Sequence, residues 1–119
     1  MVHHTPTRKP KSEIMYIETK PGLTGSGRIG RVQKSKTGKT LYYAGRSLQS
    51  LKGAGYKANY VDVDSGLEYW VSRCKKNGQD TLYGGIVEID EDARQEYWLT
   101  IRERPDLVDT TSFRSDGKY

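Results

Sequence analysis

The sequence predicts an α+β fold that is mostly β, a small antiparallel sheet or partly open barrel of hairpins with one C-terminal amphipathic helix. Three observations predict it. Short segments rich in β-branched and aromatic residues recur between Gly-containing turns. Within several of them apolar and polar residues alternate, the period of a half-buried strand. A single stretch, Asp90 to Arg104, carries its apolar residues at helical spacing instead.

In chain order, residues 1–13 hold two prolines and the cations Arg8, Lys9 and Lys11 with almost nothing apolar. They read as a flexible basic arm. Residues 14–104 read as one β-rich domain, opening with a short strand at Met15–Glu18 and a Gly/Pro loop at Pro21–Gly27. Arg28–Lys34 and Thr40–Arg46 flank Ser35–Lys39, a five-residue connection with a glycine, and form a first hairpin. Its alternation puts Leu41 and Tyr43 on one face and Tyr42 on the other. Ser47–Lys57 carries no clear period. Tyr60–Asp64 and Leu67–Arg73 flank Ser65-Gly66 as a second hairpin, with Val61 and Val63 sharing a face, as do Leu67, Tyr69 and Val71.

Asn77-Gly78 predicts a third hairpin at Lys75–Asp80, returning through Thr81–Tyr83, with a bend at Gly84-Gly85 before Ile86–Ile89. The helix follows. Asp90 suits its N-cap, Glu91 and Asp92 its positive end, and Pro105 its stop. Ala93, Tyr97 and Ile101 form its apolar stripe, with Trp98 beside them. Residues 105–119 are polar and charged and read as a flexible tail.

Several motifs imitate chemistry. Gly25–Gly30 spells a dinucleotide fingerprint, but that fingerprint needs a helix after its glycines, and Arg31–Lys34 reads as strand. Gly38-Lys39-Thr40 resembles the end of a phosphate-binding loop, yet Gln33 stands where its first glycine belongs and Leu41–Tyr43 reads as extended. Cys74 beside Lys75 and Lys76 has neighbours that favour a thiolate. The two histidines, His3 and His4, both lie in the arm, so a fixed Cys–His pair is not expected, and Cys74 reads as a bystander at a strand end. Asp62–Glu68 has a faint calcium-loop look with the wrong spacing, and turn chemistry accounts for its acids. No catalytic triad or acid–base pair stands out. An enzyme is the less favoured class, with no cofactor and no metal expected.

Charge says more. Residues 1–59 carry twelve Lys/Arg against Glu13 and Glu18, whereas residues 60–119 carry eight against thirteen Asp/Glu. No acid falls between Glu18 and Asp62. Two outcomes follow. Either the acidic half folds beside the basic half and neutralises it, or the cations form a field for a polyanion. The second outcome, with aromatics interleaved among the cations, is the pattern of single-stranded nucleic-acid binders, in which cations follow phosphates and rings stack on bases. The candidate site is Arg28, Arg31, Lys34, Lys36, Lys39, Tyr42, Arg46, Lys52, Tyr56 and Lys57. The expected function is a non-enzymatic nucleic-acid-binding module, with RNA (the ribosome included) or another single strand as ligand. The alternative is a protein–protein interaction module using an exposed strand edge or the Trp70 and Trp98 surfaces. No apolar run approaches the length of a membrane span, so no membrane partner and a cytoplasmic location are expected.

The stretches Gly27–Tyr43, Tyr60–Ser72 and Lys75–Asp80 also resemble a family of small bacterial proteins, over roughly residues 15–104. Some members of that family carry the label 1-deoxy-D-xylulose-5-phosphate synthase. That activity is not carried over. Such an enzyme binds thiamine diphosphate and magnesium across large α/β domains, and 119 residues of hairpin pattern supply neither the length nor the parallel sheet. The resemblance brings no site residues with it.

Overall fold

Ile14-Met15-Tyr16-Ile17 is an unbroken apolar run, and all four residues are at most 7% exposed. An unbroken run of this kind suits a strand covered on both faces. This one, β1 (Lys11–Thr19), has that position. The computed structural model describes residues 11–19, 27–51, 58–81 and 83–117. Along one edge β1 pairs antiparallel with β2 (Gly27–Lys34), and along the other with β6 (Glu68–Arg73). Between them run β3 (Thr40–Tyr43), β4 (Arg46–Ser50) and β5 (Tyr60–Asp62), each antiparallel to its neighbours. Six strands thus close into a barrel. Closure removes strand edges that a partly open barrel would leave exposed.

Alternation sorts the run on β1 into two cores. Met15 and Ile17 point inward and meet Val32, Leu41, Leu48, Tyr69 and Val71 in the barrel interior. Ile14 and Tyr16 point outward and meet Ile29, Val87, Ile89, Ala93, Tyr97 and Trp98. The outer core is roofed by two further strands and a helix. β7 (Tyr83–Ile89) runs parallel to β2 at Gly27–Ile29, and β8 (Ser112–Gly117) pairs antiparallel with β7. The helix α1 (Glu91–Glu96) continues as a π-helical turn, Tyr97–Ile101. Its wider winding accompanies the burial of two adjacent aromatics, Tyr97 and Trp98, at 0% and 1% exposure. The Trp98 indole meets Tyr97 edge-on and Phe113 of β8 edge-on, and donates to the Thr110 carbonyl at 2.9 Å.

The α+β, mostly-β class is the one observed, and several elements differ in detail. Residues 105–117, expected as a flexible tail, form a 3₁₀ turn at Pro105–Leu107 and then β8. The polar sequence of β8 hid it, and Phe113 anchors it. The expected third hairpin is absent. Asn77-Gly78 does turn the chain, with Gly78 N–H donating to Lys75 O, but β6 does not pair with β7. Gly84-Gly85 is part of β7 and not a bend. The arm expected over 1–13 already enters β1 at Lys11, and residues 1–10 lie outside the described residues. On β5 the inward residues are Tyr60 and the buried Asp62, while Val63 and Leu67 lie exposed in the following loop. The capping role expected of Asp90 is also replaced: its carboxylate makes no cap bond and is held by Arg28 and Tyr43.

Candidate nucleic-acid interface

The first predicted hairpin ends sooner than expected. Thr40–Arg46 breaks at Ala44-Gly45, whose φ angles are 51° and 77°. Positive φ at both central residues is the signature of the type I′ turn, which matches the twist of paired strands. The break folds β4 back on β3 and aligns three outward side chains: Gln33 opposite Tyr42, and Tyr42 opposite Ser47. Tyr42 is 44% exposed, unusual for so large a ring.

Around the row lies an open cleft of about 380 Å³ lined by Arg31, Gln33, Tyr42, Tyr43, the turn Ala44-Gly45, Arg46, Ser47 and Asp92. Arg31 reaches it from β2, and Asp92 from the first turn of α1. Three of the ten predicted site residues, Arg31, Tyr42 and Arg46, therefore meet in one depression. Lys36 and Lys39 sit exposed on the β2–β3 turn, at the other end of the hairpin, with no acidic partner among the described residues. Lys52, Tyr56 and Lys57 lie outside the described residues.

The remaining cations are engaged structurally. Arg28 makes a two-donor contact to Asp90 Oδ1, at 2.8 Å from Nε and 2.6 Å from Nη2. Lys34 pairs with Glu13 at 2.7 Å. Arg31 and Arg46 are paired as well, to Glu96 at 2.7 Å and to Asp62 at 2.8 Å. Asp62 is itself fixed by the Ser65 hydroxyl and the Asp64 N–H. Those bonds, the Ser65 one foremost, hold its carboxyl below the usual carboxylate range. Four of the six described candidate cations thus carry a carboxylate partner, three of them from the acidic half and one, Lys34, from Glu13 within the basic half. The charge contrast offered such neutralisation as one of two outcomes but not the individual pairs, because partners such as Arg31 and Glu96 stand 65 residues apart. Sequence reasoning also passed over Gln33, Ser47 and Asp92. The only trace they left was strand alternation and an acid in the first helical turn.

Other imitated chemistry dissolves in the fold. Strand, not helix, follows both Gly30 and Gly38-Lys39. Burial pushes the Cys74 thiol up, with Asp80 and Glu13 adding to the effect, opposite to what its lysine neighbours imply. Its Sγ–H points at the Ile14 carbonyl. Among the described residues no three His, Cys, Asp or Glu groups gather as a metal site would require, and no helix is long and apolar enough to cross a membrane. Trp98 is buried, and Trp70 is half-buried against the outer core. Comparison with protein-family models, with curated proteins and with solved structures finds no match.

Proposed function

We propose that this chain is a non-enzymatic module that binds RNA or another single-stranded nucleic acid over the outer face of β2, β3 and β4. The observation that carries the reading is the exposed Tyr42 ring in a cleft that two arginines also line. A base has a π-face whatever its identity, and stacking on an exposed aromatic costs the protein no new cavity. Arg31 and Arg46 line the same cleft and meet phosphates with the guanidinium N–H groups that their bonds to Glu96 and Asp62 leave over. Lys36 and Lys39 extend the track along the hairpin, with no ion pair to break among the described residues. The site is smaller than the basic interval in the sequence, since Arg28 and Lys34 are committed to the fold.

The test is fluorescence anisotropy of a labelled nine-nucleotide RNA at several salt concentrations. Binding at low salt should weaken linearly in log–log form. Tyr42→Ala should cost about 1–3 kcal/mol, the worth of one stacked base. Replacing Lys36 and Lys39 by alanine should reduce the salt slope by roughly 1.4, at about 0.7 per phosphate on a single strand. No binding at low salt, or binding indifferent to both changes, overturns the proposal.

A further inference from the structure

Asp92 is an odd neighbour for a phosphate-binding cleft. It lines the same depression as Arg31 and Arg46 and is exposed. Its backbone carbonyl accepts from Arg31 Nη2 at 3.3 Å, but its carboxylate has no hydrogen-bond or ion-pair partner among the described residues. Three neighbouring acids are engaged, Asp90 with Arg28 and Tyr43, Glu96 with Arg31, and Asp62 with Arg46, and of the two acids in the first turn of α1 Asp92 is the one that lines the cleft. A place in the first turn of α1 explains why an acid is tolerated there. It does not explain an acid left open on the wall of a cleft meant for anions, where it repels any phosphate that approaches.

An ionised carboxylate is acceptor-only, with two oxygens side by side. It turns from liability to asset when the ligand offers it paired N–H donors. Of the four RNA bases, guanine alone presents two adjacent donors, N1–H and N2–H, on its Watson–Crick edge. Adenine and cytosine place a ring acceptor next to their amino group, and uracil flanks its single N–H with two carbonyls. A base stacked on Tyr42 has its edge free to be read, as single-strand recognition commonly requires.

We infer, resting on the single-strand reading above, that the cleft selects guanine at the Tyr42 position, with the Asp92 carboxylate accepting from N1–H and N2–H. Asp92 is then a specificity-determining residue. Charge-assisted bonds of this type are the stronger class, and a pair of them supports a preference of roughly tenfold over a base that cannot form it.

Three labelled RNAs test it: nine uridines, the same chain with a central guanosine, and the same chain with a central inosine, which lacks N2–H. The guanosine RNA should bind roughly tenfold tighter than the uridine RNA, with inosine between them. Asp92→Asn should cut the guanosine advantage to less than about twofold while tightening the uridine RNA, since a repelling charge has gone. Equal affinity of the guanosine and uridine RNAs for the unaltered protein overturns the inference and leaves the single-strand reading standing. So does a guanosine preference that survives Asp92→Asn. Failure of all three RNAs to bind at low salt overturns the single-strand reading and the inference together.

Discussion

Tyr43, on β3, donates its phenolic proton to Asp90 at 2.5 Å, across the seam where β2 passes from one partner strand to another. On that side β2 pairs with β7 at Gly27–Ile29 and with β3 at Gln33-Lys34. Gly30 lies in the gap. A Cβ there would come within 2.5 Å of both the Asp90 carboxylate and the Tyr43 ring, a distance that only hydrogen in place of a methyl group permits. The seam is sealed by side chains where the backbone ladder stops, and one wall of the cleft is thereby held in place.

Asp90 also accepts two bonds from Arg28, so removing its carboxylate strands partners on both strands. Asp90→Ala should destabilise the fold by about 2–3 kcal/mol, and Tyr43→Phe by about 1 kcal/mol. The double variant should fall short of the sum by about 1 kcal/mol, because the two residues share one bond. Urea unfolding midpoints of the four proteins give the comparison. Strict additivity would mean that the Tyr43–Asp90 contact contributes nothing.

Asp80 behaves differently. Its Oδ1 accepts from the Lys75 N–H at 2.7 Å, while Oδ2 is buried with no hydrogen-bond partner among the described residues. Burial raises this carboxyl above its ordinary value, and the Lys75 N–H, the Lys75 charge and Arg102 offset only part of that. A carboxyl raised in the folded state favours folding while protonated. Its contribution is therefore intact below the unfolded value near 3.8 and fades as pH climbs through the higher folded value. Asp80→Asn keeps the Oδ1 acceptor and cannot ionise. It should stabilise the protein by about 1 kcal/mol at pH 7, with the gain disappearing toward pH 3. Thermal melts across that range decide it. A loss of stability at pH 7 would show that the ionised carboxylate is satisfied after all.

Phe113 tests whether the C-terminal strand belongs to the fold. Its ring stacks on Tyr97 at 5.7 Å, meets Trp98 edge-on, and lies 5.0 Å from the Arg102 guanidinium. Phe113→Ala should cost about 3 kcal/mol, at the low end for a truncated aromatic because the site is only half-buried. Amide exchange in β7 should accelerate with it. A loss below about 0.5 kcal/mol, the range of an exposed surface change, would place residues 112–117 outside the cooperative unit.

What the sequence disclosed and what it withheld divide along the range of the interactions. The β2–β3 connection, the Ser65-Gly66 turn and the Asp90 helix start are local, written in glycines, caps and periodicity a few residues long. Ala44-Gly45 was also local but disguised, since alanine is an uncommon occupant of positive φ. β8 was invisible because Ser112–Gly117 is polar, and its strand conformation comes from pairing with β7. Barrel closure depends on β1 meeting both β2 and β6, for which no short-range signal exists. The cleft shows the same split. Tyr42 was legible as a strand residue facing away from Leu41 and Tyr43, whereas the carboxylates that claim Arg28, Lys34, Arg31 and Arg46 come from elsewhere in the chain. For the three that come from the second half, Asp90, Glu96 and Asp62, the contrast in charge between the halves was the trace, and for Glu13 there was none.

The most direct measurement of the central claim is a ¹H–¹⁵N correlation titration of the full chain with unlabelled single-stranded RNA at low salt. The account predicts progressive amide shifts at Arg31, Tyr42, Ala44, Gly45 and Ser47, with Ile86 and Leu99, exposed residues that do not line the cleft, left in place. Shifts centred on Ile86 and Leu99, or a spectrum unchanged at millimolar RNA, would contradict it.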